Sequence, residues 1–234
     1  MDGGAALLAK IATLGKLLDI KPRQEAHRLV IPTARARTPY LPPLVALGAS
    51  TGGPAALAHI LAGLPARFPA ALVIIQHVDV QFAEGLADWL QAHTSLSVRL
   101  AQEGCRLEVG TVWVAGTNDH MILTPQHTLS YVAEPRDYSY RPSVDVFFKT
   151  LVKNGAAHWP ARATGVLLTG MGRDGAEGLA VLRRAGWYTI AQDQASSVVY
   201  GMPRAAAEVG AAKQILPLEA IAPTLVQLFG DTAP

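Results

Sequence analysis

The chain has 234 residues, of which 50% are hydrophobic and 16% are charged, and its formal net charge is +2. This composition can supply a large core and excludes global disorder, and the charge is too small to indicate nucleic-acid binding. The single cysteine, Cys105, excludes an intramolecular disulfide and favours a reducing compartment. No apolar run reaches the length of a membrane span and the N-terminus lacks signal-peptide features, so we expect a cytoplasmic protein without membrane insertion.

The first 41 residues are predicted to form a helix followed by a linker. Residues 5–18 repeat leucine and isoleucine at spacings of three and four, which is typical of an amphipathic helix. Residues 21–43 intersperse basic residues with prolines, which favours an extended, solvated linker. We therefore predict an N-terminal helix and basic linker at residues 1–41 and a folded domain at residues 42–231.

From residue 44 onward, predicted strands alternate with predicted helices, as is typical of a parallel sheet covered by helices. The predicted strands are the apolar run that begins at Leu44 and residues 72–76, 98–100, 111–114, 165–169 and 188–192. A hairpin is predicted over residues 121–123 and 128–132. Helices are predicted after Pro54, through 82–90, after a Ser143 cap, at 176–184, at 202–209 and from Pro223 to residue 229.

The turn after the first strand is the first candidate site. Gly48, Ser50 and Gly52 have the spacing of a nucleophile elbow, in which a serine lies on a sharp turn between a strand and a helix. The same glycines could cradle a phosphate, or the stretch could be a plain structural turn. A phosphate site is disfavoured because no lysine follows the glycines and no acidic residue lies at the position expected for a ribose partner.

Ser50, His77 and Asp174 are each expected just beyond the carboxyl end of a buried strand. The carboxyl ends of parallel strands form one ligand-binding edge, so the three side chains could converge there. Ser50 would then be a nucleophile, His77 its base, and Asp174 the group that orients the imidazole. The pattern leaves open that His77 is an ordinary buried histidine and that Asp174 only forms a turn or caps a helix. His120 is a weaker candidate, and no spacing predicts a metal or a cofactor.

Several motifs, in order along residues 42–230, resemble the CheB-type protein-glutamate methylesterases. The motifs that carry the resemblance are 48–53, 76–77, 141–145, 168–175 and 191–197. Finer detail is similar to the WspF-type methylesterases of chemotaxis-like surface-sensing systems, at residues 78–79, 116–118 and 200–203.

The resemblance implies a doubly wound, mostly parallel α/β sheet with helices on both faces and a small antiparallel hairpin. It implies hydrolysis of glutamate γ-methyl esters on the cytoplasmic helices of methylated chemoreceptors, often with deamidation of receptor glutamines. Ser50, His77 and Asp174 match the catalytic residues of the family, and Met171 falls where its backbone would help to bind an oxyanion. A receiver domain or a histidine kinase of the same pathway is a further expected partner, and no cofactor is expected.

The sequence also departs from the family pattern. Relatives usually carry an N-terminal receiver domain, so residues 1–41 are interpreted as the remnant of a linker to such a domain, with the helix at 5–18 either part of that linker or the end of the domain itself. Arg173 stands where relatives often have Asn, and Tyr140 stands where many have His. Two other functions remain open at this point: a non-catalytic receptor-binding module of a chemosensory complex, and an unrelated serine hydrolase.

Overall fold

A computed structural model describes residues 41–155, 159 and 163–230 of the chain. The predicted helix at 5–18 and all but the end of the predicted linker lie outside these residues. The division of the chain near residue 42 therefore stays a prediction. No helix among the described residues is both long enough and apolar enough to cross a membrane.

The described part of the chain contains nine strands and six helices. The strands are β1 (Leu44–Ala49), β2 (Ala71–Gln76), β3 (Ser97–Leu100), β4 (Thr111–Val114), β5 (His120–Leu123), β6 (Leu129–Val132), β7 (Ala163–Leu167), β8 (Tyr188–Gln192) and β9 (Gln214–Leu216). The helices are α1 (Gly53–Ala62), α2 (Val80–Gln91), α3 (Val144–Gly155), α4 (Ala176–Arg184), α5 (Met202–Glu208) and α6 (Leu218–Gly230).

Seven of these strands form one sheet in the order β3-β4-β2-β1-β7-β8-β9, and every pair in it is parallel. Strands β5 and β6 form a separate antiparallel pair. The predicted α/β fold with a parallel sheet and a small antiparallel hairpin is therefore confirmed.

Strand β1 lies at the centre of the sheet, and all six of its residues are buried. Leu44 and Ala46 pack into the core that contains α3, α4 and α5, whereas Val45 and Leu47 pack into the core that contains α1, α2 and α6. Successive side chains of a strand point to opposite faces, so an uninterrupted apolar run is what a strand with helices on both sides requires.

Some predicted bounds were wrong. Helix α6 begins at Leu218, so Pro223 lies inside the helix rather than in its first turn. An interior proline costs about 3 kcal/mol, and the burial of Ile221, Leu225 and Phe229 against the sheet offsets that cost. Strand β9, which is short and partly exposed, was not predicted.

Strand β7 also differs from its prediction, because it begins and ends two residues earlier, at Ala163 and Leu167. Thr169, predicted to be the last residue of the strand, donates its backbone N–H to the Gln192 side chain at 2.9 Å. The Gln192 side chain thus takes the place of the β8 backbone at this position. On the β1 side the backbone bonds continue, from the Leu168 N–H to Gly48 and from the Ser50 N–H to Thr169. Pairing with β8 therefore ends before the chain reaches the loop that contains Asp174.

Candidate active site

Ser50 and His77 leave the sheet side by side. Strands β1 and β2 are parallel with Ala49 opposite Gln76, so Ser50 and His77 are the next residues of the two strands. The His77 backbone N–H donates to the Ala49 carbonyl at 3.1 Å, and the Gln76 side chain donates to the Ser50 carbonyl at 2.9 Å. The sheet register therefore brings together two of the three residues that the sequence singled out.

The turn after Ser50 depends on Gly52. Gly52 has a φ of 79°, and a Cβ atom there would lie 2.6 Å from Cβ of Val198. Both the left-handed backbone and the close neighbour exclude other residues. The Gly53 N–H donates to the Ser50 carbonyl at 2.8 Å, and α1 begins there. Ser50 is 9% exposed, and its hydroxyl forms no hydrogen bond with any described residue.

His77 and Asp174 are joined by a hydrogen bond. His77 Nε2 lies 2.7 Å from Oδ2 of Asp174, and the two side chains are 7% and 6% exposed. A carboxylate can only accept, so Nε2 carries the proton in this contact. His77 Nδ1 is buried and has no partner among the described residues. In the neutral imidazole, Nδ1 is therefore the nitrogen that is free to take up a proton.

Three more donors, all from the start of α3, bind the Asp174 carboxylate. Ser143 Oγ donates to Oδ1 at 2.8 Å, the Val144 N–H donates to Oδ2 at 2.7 Å, and the Asp145 N–H donates to Oδ1 at 3.0 Å. The first backbone N–H groups of a helix lack intrahelical partners and carry partial positive charge, so they bind anions well. Asp174 therefore occupies an anion site at the N-terminus of α3.

The surroundings of Asp174 determine its charge. Burial alone would raise its pKa, but the hydrogen bond and the charge of His77, together with the bonds from Ser143 and the Asp145 amide, lower the pKa below its ordinary value. Asp174 is thus ionised at neutral pH. An ionised carboxylate can stabilise a positive charge on His77.

Tyr140 covers one face of the His77 ring. The two rings are stacked, with their centroids 4.3 Å apart and their planes 5° apart. A cleft of about 390 Å³ is lined by both residues together with Asn118 and Arg141. A second cleft, of about 310 Å³, lies between Tyr140 and Asp174. Tyr140 is thus a wall of both clefts.

The loop after β7 approaches Ser50 from the other side. The Ser50 N–H donates to the Thr169 carbonyl at 3.0 Å, and a Cβ atom at Gly170 would lie 2.7 Å from that of Ser50. Met171 follows, 60% exposed. Within the described part of the chain, the N–H groups of Met171 and Thr51 donate no hydrogen bond. Free backbone donors therefore exist in the turns on both sides of Ser50.

The Thr169 side chain ties these two turns together. Its hydroxyl lies 2.9 Å from the Thr51 carbonyl, to which it donates, and it accepts from the Val199 N–H at 2.9 Å. Gln192, which accepts from the Thr169 amide, is fully buried. These bonds hold the Met171 loop in a fixed place relative to Ser50.

Ser143 has a role that sequence reasoning missed. It was predicted only as a cap, and it is one: its Oγ accepts from the Val146 N–H at 3.3 Å. The same hydroxyl donates to Asp174, which is 31 residues away. A cap can be read from local sequence, whereas a partner at that separation leaves no periodic signal.

Among the described residues, no group of three or more His, Cys, Asp or Glu side chains could hold a metal ion.

Comparison with known proteins identifies the relatives of this chain. The family described as CheB methylesterase matches residues 45–225. A "protein-glutamate methylesterase/protein-glutamine glutaminase 2" of Cupriavidus metallidurans is 55% identical over 224 residues, which cover 96% of this chain and 64% of that protein. A similarly named protein of Burkholderia orbicola, numbered 3, is 53% identical over 228 residues, which cover 97% of this chain and 65% of that protein.

A solved structure has the same architecture. The catalytic domain of the Thermotoga maritima CheB methylesterase superposes with a TM-score of 0.74 at 32% identity, covering 79% of this chain and 97% of that domain. The Cupriavidus and Burkholderia relatives are longer proteins, and the chain spans less than two thirds of their length.

Proposed function

The chain belongs to the CheB methylesterase family, and we propose that it hydrolyses glutamate γ-methyl esters on chemoreceptor-type signalling proteins, releasing methanol. The observation that carries the proposal is the 2.7 Å bond between His77 and Asp174, next to the turn that presents Ser50. The curated relatives are named for glutaminase as well as methylesterase activity. Deamidation of receptor glutamines by the same site is therefore part of the proposal.

The proposed reaction begins with attack of Ser50 Oγ on the ester carbonyl while His77 Nδ1 takes the hydroxyl proton. The imidazolium that forms is stabilised by the ionised Asp174. As the tetrahedral intermediate collapses, the bond to the methoxy group breaks, and His77 gives its proton to the departing methanol. A water molecule then hydrolyses the acyl-enzyme by the same steps, which releases the glutamate carboxylate and restores Ser50.

Backbone donors next to Ser50 would bind the negative oxygen of the intermediate. The Met171 N–H, predicted for this role from the resemblance, is free of other described partners, and so is the Thr51 N–H. Donors that are already fixed in place need no reorganisation during the reaction, and each one can contribute about 10²–10³-fold in rate. The Thr169 bonds described above support such a fixed arrangement.

The proposed substrates are the cytoplasmic helices of methylated chemoreceptors, which places the protein in the cytoplasm. A receiver domain or a histidine kinase of the same pathway is the proposed regulatory partner. The division into a helix and basic linker at residues 1–41 and a catalytic domain at residues 42–231 is part of the same proposal. The similarity to WspF-type methylesterases stays a prediction.

The test is methanol release from membranes that contain methylated receptor. We expect the parent protein to release methanol. In Ser50→Ala, kcat for this release should fall by roughly 10⁶-fold, as it does when the triad serine of subtilisin is removed. Ser130→Ala, in β6 and outside the site, is the matched control and should match the parent. Comparable release by Ser50→Ala and the parent would refute the proposed nucleophile.

The same assay separates the other two functions. Turnover of small esters without release from receptor would favour an unrelated serine hydrolase. Receptor capture that survives Ser50→Ala, in a parent without esterase activity, would favour the non-catalytic receptor-binding module.

A further inference from the structure

His120 is a fully buried histidine that the proposed reaction does not use. It is the first residue of β5, and both of its ring nitrogens are bonded: Nδ1 lies 3.1 Å from the Ser143 backbone N, and Nε2 lies 2.9 Å from the Pro135 carbonyl. A backbone amide can only donate and a carbonyl can only accept. Nδ1 is therefore the acceptor and Nε2 carries the proton, which defines a neutral ring in one tautomer.

The bond from Ser143 to His120 leads directly to the candidate active site. Ser143 is the cap of α3, and its hydroxyl donates to Asp174 at 2.8 Å. The next amide, that of Val144, donates to the Asp174 oxygen that also binds His77. His120, Ser143, Asp174 and His77 thus form a continuous series of hydrogen bonds, of which the longest is 3.1 Å.

Helix α3 is also tied to β5 at a second place. The Leu123 N–H donates to Thr150 Oγ1 at 3.1 Å, and the Asn154 side chain donates to the Leu123 carbonyl at 2.7 Å. These bonds hold the later part of the helix, whereas the bond from Ser143 to His120 holds its first turn. Loss of the His120 bond alone would therefore release the first turn, which binds Asp174, from β5 and leave the rest of the helix docked.

We propose that His120 is a positioning residue for the Asp174–His77 pair: its Nδ1 fixes the first turn of α3, which in turn holds Asp174. The kinetic part of this inference rests on the proposed function. Ser143 has no other acceptor for its backbone N–H among the described residues. Without Nδ1 that amide is unpaired in a buried place, and it can recover a partner only if the turn moves.

Two substitutions of His120 distinguish the role of Nδ1 from the role of Nε2. The side-chain oxygen of His120→Asn overlies Nδ1 and can accept from Ser143. The longer side chain of His120→Gln places its amide near Nε2, where it can reach Pro135 but leaves the Ser143 N–H unpaired. We expect kcat for methanol release to stay within about 3-fold of the parent in His120→Asn, and to fall by roughly 10- to 100-fold in His120→Gln with KM little changed.

A second measurement does not depend on turnover. The proton of the bond between His77 Nε2 and Asp174 should give a downfield imidazole N–H signal in proton NMR. We expect this signal to persist in the parent and in His120→Asn, and to broaden or disappear in folded His120→Gln. If the parent releases no methanol, the proposed function fails while the NMR comparison still tests the positioning role.

Thermal unfolding of both variants shows whether a change is local. Equal losses of kcat in the two variants, or an unchanged His77 signal in His120→Gln, would overturn the proposal. The Asn variant is also a test by itself, since a fall in kcat beyond about 10-fold in a folded His120→Asn protein would contradict a role for Nδ1.

Discussion

The two halves of the candidate active site are built in opposite ways. Asp174 accepts four hydrogen bonds, one from His77 and three from the start of α3. The Ser50 hydroxyl forms none with the described residues, although the backbone around it is bonded on both sides. In the acid half, which consists of Asp174 and its donors, hydrogen bonds hold a side chain in place. In the nucleophile half, which consists of Ser50 and its turn, they hold only the backbone.

This difference fits the chemistry proposed for each half. A carboxylate that stabilises an imidazolium must keep its charge and its place throughout the reaction, so a full set of donors favours its role. A nucleophile must exchange its proton for a bond to carbon, and a hydroxyl held by a strong acceptor elsewhere would resist that change. We therefore expect substitutions in the acid half to affect both stability and activity, and substitution of the nucleophile to affect activity alone.

Among substitutions in the acid half, Asp174→Asn should have the largest effect. The amide NH₂ would face N–H or O–H donors, and it could no longer hold the imidazole in the right tautomer. We expect kcat to fall by about 10⁴-fold, as in the equivalent change of a serine protease triad, and the free energy of unfolding to fall by about 1–3 kcal/mol. Methanol release and urea unfolding measure the two effects, with the exposed Asp88→Asn in α2 as the control. Unchanged stability would contradict the four-bond arrangement.

The comparison becomes sharpest when the same substitution is made in each half. Ser143→Ala removes both a helix cap and a donor to Asp174, so we expect a loss of about 1–2 kcal/mol in the free energy of unfolding. Ser50→Ala removes a hydroxyl with no described partner, so we expect a change within about 0.5 kcal/mol. Chemical unfolding of both variants gives the order, and a larger loss for Ser50→Ala would refute the contrast.

The neighbouring carboxyl groups of Asp145 and Asp174 should change the free energy of unfolding in opposite directions as the pH rises. Burial, with repulsion by Asp174, raises the pKa of Asp145 to about 6 from 3.8, against the lowering effect of the Gly178 amide. The folded state therefore binds this proton more tightly than the unfolded state between about pH 4 and 6, and its contribution to stability falls as the pH rises through that range. The pKa of Asp174 is lowered, so its contribution is lost as the pH falls below the ordinary value.

Asp145→Asn should remove the pH dependence of stability that comes from Asp145 and leave the one that comes from Asp174. We expect the free energy of unfolding of this variant, relative to the parent, to increase by about 1–3 kcal/mol between pH 4 and pH 7. Unfolding curves at one-unit pH intervals measure this difference. A difference that does not vary with pH would mean that Asp145 titrates near its ordinary value in the folded protein.

Much of the fold could be predicted from local patterns. The central strands are continuous apolar runs bounded by glycine or polar residues, and β4, β8 and α4 were predicted with the bounds observed. The misplaced start of α6 has a different origin, since the burial of its apolar face outweighs the preference of Pro223 for a first turn. Local preference decided the elements wherever packing did not oppose it.

The candidate site divides in the same way. Sequence alone placed Ser50 and His77 at the ends of buried strands, because strand ends and glycine turns are local features. The expected triad itself stays a prediction, with the bond between His77 and Asp174 in its favour. Only the tertiary structure decided the strand order that makes β1 and β2 neighbours and the helix start that surrounds Asp174. Periodicity records which face of an element is buried, but hydrogen bonds between residues 23 or 31 positions apart, as in those of Ser143 with His120 and Asp174, depend on how the elements pack.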